Sequence, residues 1–171
     1  DEGMAKILME AQFDFEIANF SECLREFEVL IIPSGAQLSA GAVSKLNLYL
    51  AEGGKLICLS KGLLDLENKA FKVDLGVEYL GAAGYDCDYT QTESELSIDY
   101  AESPFLNNLP ALKTKPKAGA EILAHIHEPY FSRTEAHYCS HQNTPYKMDR
   151  PSYPAVVHYK NILFLAHDLD V

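Results

Sequence analysis

The sequence predicts an α/β fold, in which a mainly parallel sheet is flanked by helices and extended by a C-terminal antiparallel hairpin. Val29–Ile32 and Lys55–Leu59 are short apolar runs on either side of a helix predicted over Ala40–Glu52. This strand–helix–strand order gives parallel neighbours, and uninterrupted apolar runs are typical of strands buried on both faces. Near the C-terminus, Pro154–Tyr159 and Ile162–Ala166 predict two strands joined by a turn containing asparagine.

The N-terminal third supplies the helix signals. Apolar residues at helical spacing predict a helix over Gly3–Gln12, and alternation predicts a short strand over Phe13–Ile17. Phe20–Arg25 is interpreted as a connection or helical turn. Ser39 is the expected N-cap of the helix that follows, and the glycine pair 53–54 ends that helix because glycine readily adopts left-handed geometry.

The remaining segments carry weaker signals. Leu63–Gly84 is irregular, and Tyr85–Tyr100 is interpreted as loops with one or two exposed strands. Ser103–Pro116 is a proline-punctuated connection, and Ala120–Ile126 is predicted as a strand. Glu128–Pro151 is rich in His, Tyr, Ser and Arg, without a predicted element.

Composition narrows the function classes. The 171 residues fit a single domain over 1–171, and the 25 acidic against 14 basic side chains give a net charge of −11. Such a domain repels nucleic acid and anionic lipid, and no apolar run approaches the roughly 20 residues of a membrane span. The four cysteines form no CxxC pair, so reduced thiols and the cytoplasm are favoured. No cofactor is predicted.

A histidine-rich stretch raises the question of a metal. His137, Cys139 and His141 alternate, so on a strand they would share one face, where Glu128 or Glu135 could complete a zinc site. The usual zinc spacings are absent, and no metal site is predicted.

A surface for a protein partner or a carbohydrate is the alternative use of this stretch. Aromatic and arginine side chains are enriched at the cores of protein interfaces, and the same groups can bind sugars. The predicted interface or carbohydrate-binding residues are Glu128, Tyr130, Arg133, His137 and His141.

Two stretches resemble known families. The first resembles the trimerisation domain of family 42 β-galactosidases, a degenerate relative of class I glutamine amidotransferases, and comprises Phe27–Pro33, Leu38-Ser39, Leu46–Leu50 and Gly53–Ile57. The second is similar to a hypothetical glycosyl hydrolase group that carries this domain after a catalytic barrel, and comprises Pro129–Thr134 and His137–Pro145.

The resemblance implies a non-catalytic domain that mediates assembly and supports the active site of a glycoside hydrolase. Its expected partners are the parent's catalytic barrel and further copies of the chain. A domain of this type normally begins with a strand before the helix at Gly3, so the chain is expected to be a fragment of a larger glycosidase-type protein.

The amidotransferase resemblance also implies where a nucleophile would lie. Aligning on the glycine pair places Ser60 at the nucleophile position, with Cys58 inside the preceding strand and His127-Glu128 as the candidate base pair. A serine is inert without a base in reach, so no catalytic residue is predicted. A hydrolase using Ser60 or Cys58, and a carbohydrate-binding module, remain the alternatives.

Overall fold

A seven-stranded mixed sheet forms the centre of the computed structural model, which describes residues 2–97 and 103–169. The described α-helices are α1 (Glu2–Glu10) and α2 (Ala40–Ala51), and a 3-10 turn spans Leu24–Glu26. The strands are β1 (Val29–Ile32), β2 (Lys55–Leu59), β3 (Leu64–Asp65), β4 (Ala70–Phe71), β5 (Val77–Gly81), β6 (Asp88–Thr92), β7 (Phe105–Asn107), β8 (Lys113–Pro116), β9 (Glu121–His127), β10 (Tyr153–Tyr159) and β11 (Ile162–Leu165).

The predicted strand–helix–strand unit is confirmed. β1 and β2 pair in parallel, with Leu30 opposite Leu56, and α2 connects them. The Oγ of Ser39 accepts a hydrogen bond from the backbone N–H of Ala42 at 3.3 Å, so Ser39 is the N-cap. Gly53 follows the helix with a φ of 97°. This unit fixes the first half of the sheet.

The sheet is mixed, whereas the sequence predicted a mainly parallel one. Its order is β1-β2-β11-β10-β9-β6-β7. β11 pairs in parallel with β2, but each strand from β10 to β7 runs antiparallel to its neighbour. The predicted C-terminal hairpin, β10 and β11, is confirmed. Its strand β11 lies beside β2, and β10, β9, β6 and β7 follow in the sheet as antiparallel neighbours, so the sheet is mixed.

The flanking layers also differ from the helix-flanked arrangement that was predicted. Within the described ranges, the two α-helices are accompanied by two small sheets, β3-β4 and β5-β8. Leu46 of α2, Leu75, and Phe164 of β11 belong to one buried cluster. Small strand pairs and loops therefore pack against the large sheet at positions where helices were expected.

The strand predicted at Phe13–Ile17 is absent, which corrects the sequence analysis. Phe13 and Ile17 are 65% and 96% exposed. An alternating segment forms a strand only where a sheet edge is available for pairing. Such an edge is present, because β1 is the outermost strand of the described sheet and pairs only with β2. Phe13–Ile17 does not pair with it, so the alternating pattern alone did not produce a strand.

Short strands occupy the regions interpreted as irregular. β3, β4 and β5 lie within 63–84, and β7 and β8 lie within 103–116. β6 is an inner strand of the large sheet, between β9 and β7, and was expected to be exposed. Residues 98–100, the end of the segment interpreted as loops with one or two exposed strands, fall outside the described residues. No described helix is long and apolar enough to cross a membrane.

Candidate functional site

Ser60 lies in a tight turn directly after β2. Its φ is 42°, a left-handed value that is uncommon for residues other than glycine. Its backbone N–H donates to the carbonyl of Leu165 at 2.7 Å, and the residue is 6% exposed. A Cβ at Gly62 would lie 2.9 Å from the carbonyl oxygens of Leu59 and Pro33. The turn is therefore locked against the ends of its two neighbouring strands.

Further polar side chains lie near this turn, because β1 and β11 end beside β2 and are followed by polar residues. The hydroxyl of Ser34, which follows β1, donates to the carboxylate of Asp168. The Nε2 of His167, which follows β11, lies 2.7 Å from the Oδ1 of Asp88. This imidazole–carboxylate pair is nearly buried, with side-chain exposures of 12% and 5%.

Sequence reasoning missed His167 and Asp88. The usable signal was a histidine directly after the last apolar run, Ile162–Ala166, but its meaning depends on knowing that β11 lies beside β2. Asp88 comes from a part of the chain interpreted as loop. Its carboxylate also accepts from the backbone N–H of Ala111 at 2.7 Å and from the side chain of Asn107 at 3.0 Å.

The structure does not bring the proposed base pair His127-Glu128 into hydrogen-bond contact with Ser60 in the described part of the chain. His127 is buried at the end of β9, with Nδ1 3.1 Å from the carbonyl of Lys147 and Nε2 3.0 Å from the Oε1 of Gln91. The carboxylate of Glu128 lies 3.3 Å from the ammonium groups of both Lys113 and Lys147. Both candidates hold strands and loops together.

Cys58 is unsuited to nucleophilic attack. It is fully buried inside β2, and its Sγ donates to the carbonyl of Gly62 at 3.2 Å. Burial disfavours the thiolate and raises the pKa of Cys58 to about 12. The thiol is therefore protonated at neutral pH.

The segment 128–150, here called the arm, is anchored at its base and exposed at its tip. The phenol of Tyr89 donates to the carbonyl of Thr144 at 2.8 Å, and Lys147 donates to the phenol of Tyr85 at 3.1 Å. The hydrogen bond to Tyr85, together with Glu128, raises the pKa of Lys147. Tyr138 and Met148 are 73% and 76% exposed.

The arm carries all five of the predicted interface or carbohydrate-binding residues. Tyr130 is 53% exposed, and Arg133, His137 and His141 are exposed. The Nη1 of Arg133 donates to the carbonyl of Gln142 at 2.5 Å, which braces the tip. Glu128 differs, because its side chain is only 16% exposed. Four of the five predicted residues are therefore exposed on the arm.

The alternating residues of the arm do not share a strand face. Residues 137–141 form no strand. The Sγ of Cys139 lies 3.5 Å from the carbonyl of His141 and 3.6 Å from that of Asn143. Within the described residues, no group of three His, Cys, Asp or Glu side chains is arranged to hold a metal ion.

Solved structures share this fold. The α-L-fucosidase isoenzyme 2 from Paenibacillus thiaminolyticus matches 96% of the chain at a TM-score of 0.88 and 22% identity. The GH42 β-galactosidase Gan42B matches 98% at a TM-score of 0.63 and 12% identity. A glutamine amidotransferase from Thermotoga maritima matches 95% at a TM-score of 0.51 and 11% identity, over 67% of its own chain. No protein-family model and no curated protein sequence matches the chain.

Coverage of the glycosidases is partial. The chain spans 25% of the fucosidase and 23% of the β-galactosidase. In these proteins the matching region is thus a small part of a longer chain. The resemblance to family 42 β-galactosidases and to glutamine amidotransferases, inferred from the residues around β1, α2 and β2, is confirmed at the level of the fold.

Proposed function

We propose that the chain is a non-catalytic domain of a glycoside hydrolase, which mediates assembly and borders the active site of the parent's catalytic barrel. The observation that carries the proposal is the partial coverage of the glycosidases. A region that fills about a quarter of the fucosidase and of the β-galactosidase leaves most of each chain for other modules.

The chemistry of the candidate nucleophiles supports an accessory role. Nucleophilic catalysis needs a base in hydrogen-bond reach of the attacking atom. The hydroxyl of Ser60 has no hydrogen-bonded imidazole among the described residues, and the thiol of Cys58 is protonated and enclosed. We therefore expect the domain to contribute binding surface, and no catalytic group, to a larger protein.

The arm is the surface we assign to contact with partners. Exposed aromatic side chains next to a braced arginine resemble the anchors that dominate binding energy in protein interfaces. Tyr130, Arg133 and Tyr138 supply these groups, while bonds from Tyr89 and Tyr85 fix the base of the arm. A rigid base lowers the entropy lost on binding.

We expect the 171-residue chain to self-associate through the arm. Tyr138→Ser should weaken that association by about tenfold or more, because truncating an aromatic anchor removes about 1–2 kcal/mol or more of binding free energy. Sedimentation equilibrium over a range of concentrations measures the effect. Leu66→Ser is the matched control, because Leu66 is 63% exposed and lies outside the arm. A chain that stays monomeric throughout, or a Tyr138→Ser variant that associates like the wild type, would refute the assembly role.

A second candidate function is hydrolysis with Ser60 as nucleophile. The left-handed turn at Ser60 and the His167–Asp88 pair at the same sheet edge favour it. It requires His167 to reach the Ser60 hydroxyl, a contact that is absent between these described residues. The Nε2 of the imidazole instead donates to the carboxylate of Asp88.

A further inference from the structure

The free edge of β1 is a place where another strand can pair with the large sheet. Among the described residues, the backbone of Val29–Ile32 forms hydrogen bonds only with β2. A strand with one parallel neighbour leaves the peptide groups of its other edge without a strand partner. Natural sheets often protect such edges with lysine or proline. β1 consists of four aliphatic residues, so its sequence provides neither form of protection.

The chain before β1 exposes a concentration of large apolar side chains. Five of them lie within residues 7–17, at the end of α1 and in the segment that was predicted as a strand, namely Ile7, Met9, Phe13, Phe15 and Ile17. Single exposed apolar residues are common in proteins, whereas a concentration of them is typical of an interaction site.

Contacts at the end of this segment hold it beside β1 and α2. Ala18 and Phe20 pack against the buried cluster that contains Leu30 and Ile32 of β1. The Nζ of Lys45 on α2 donates to the carbonyl of Phe20 at 2.6 Å. The exposed apolar residues therefore lie on the part of the domain that also carries the free strand edge.

The charge of this region selects the kind of partner. Residues 2–29 contain seven acidic and two basic side chains, and one of the two basic groups, Arg25, is paired with Glu52. Exposed carboxylates lie next to the apolar side chains and next to β1, namely those of Asp14, Glu16 and Glu28. Such a surface attracts a basic partner and repels a second copy of this chain, whose net charge is −11.

We propose that the free edge of β1 binds an extended basic segment of a partner polypeptide, which adds to the sheet as a further strand. Backbone hydrogen bonds to Val29–Ile32 contribute affinity, and alternate side chains of the partner contribute specificity. Its apolar side chains contact Phe13, Phe15 and Ile17, and its lysine or arginine side chains pair with the neighbouring carboxylates. This surface is separate from the arm, and the proposal does not depend on the role assigned to the arm.

The test is an NMR titration of the isotope-labelled 171-residue chain with synthetic peptides of about nine residues, enough for one strand. A peptide that alternates lysine with valine should shift the amide resonances of Val29–Ile32 and Phe13–Ile17 in a saturable manner. It should also slow hydrogen exchange at amides of β1. A glutamate–valine peptide should bind at least about tenfold more weakly, because like charges repel. A lysine–glycine peptide should show a similar loss, because it keeps the charge without the apolar side chains.

Ile17→Ser should weaken binding of the lysine–valine peptide by about tenfold, since it removes an apolar contact. Leu66→Ser is the matched control, because Leu66 is also exposed and lies outside this region, so this variant should bind like the wild type. Both variants should unfold close to the wild-type temperature, because both side chains are exposed. Tyr138→Ser, on the arm, should also leave peptide binding unchanged.

Absence of a saturable shift with the lysine–valine peptide, shifts confined to the arm, equal affinity for the three peptides, or unchanged binding by Ile17→Ser would overturn the proposal. Hydrogen exchange at β1 that slows with rising protein concentration, without peptide, would show that a second copy occupies the edge and would also overturn it. None of these outcomes depends on the sedimentation of Tyr138→Ser, so the edge and the assembly role can fail separately.

Discussion

Phe164→Ala should destabilise the chain by about 3–5 kcal/mol, because it removes a large side chain from a core that cannot collapse fully into the space. Phe164 is fully buried on β11, in the middle of the seven-stranded sheet. Its ring packs edge-on against Phe71 of β4, with 5.3 Å between the ring centroids. The variant thus loosens the contact between the large sheet and the small sheet β3-β4.

Urea unfolding monitored by circular dichroism measures this loss. The matched control is Phe13→Ala, since Phe13 is 65% exposed and should change the free energy of unfolding by less than about 0.5 kcal/mol. A cost for Phe164→Ala below about 1 kcal/mol would mean that β11 does not run through the centre of the core.

Asp88→Ala should have the second large effect, a loss of about 3 kcal/mol or more, because a buried carboxylate with several donors is removed. His167, Asn107 and the backbone of Ala111 would all lose their acceptor. These three partners come from the end of β11, from β7 and from the loop before β8. Urea titration of the variant and the wild type measures the loss in free energy of unfolding, and thermal unfolding checks its direction.

Asp74→Ala is the comparison for Asp88→Ala. Asp74 also accepts from a side-chain nitrogen, the ammonium of Lys117 at 2.8 Å, but its own side chain is 51% exposed. An exposed ion pair contributes about 0–1 kcal/mol, so this variant should be close to the wild type. Equal losses for the two variants would show that the Asp88 network does not bind these segments together.

The first half of the sheet could be predicted because its signals are local. β1, α2 and β2 are contiguous, with apolar strands, a capping serine and terminal glycines in order. β6 could not be predicted in the same way. Its residues Asp88–Thr92 are mostly polar, and it becomes a strand through pairing with β9, more than 30 residues later in the chain.

The residues of the candidate site also differ in whether local sequence or long-range pairing determines their positions. Ser60 was singled out by aligning the amidotransferase resemblance on the glycine pair before β2, and the exposure of Tyr130 and Arg133 follows from a polar, element-free segment. The limited exposure of Glu128 could not be predicted, since only the fold brings Lys113 and Lys147 to its carboxylate. His167 was overlooked because strands distant in sequence bring it to the Ser60 edge.

Treatment of the native chain with a fluorophosphonate probe, followed by intact-mass spectrometry and peptide mapping, tests most directly whether this domain contributes surface without a nucleophile. The account predicts no adduct at Ser60 under conditions that fully label an active serine hydrolase added to the same solution, because no base among the described residues is hydrogen-bonded to that hydroxyl. Stoichiometric labelling at Ser60 that disappears in a His167→Gln variant would contradict the account and establish the hydrolase alternative.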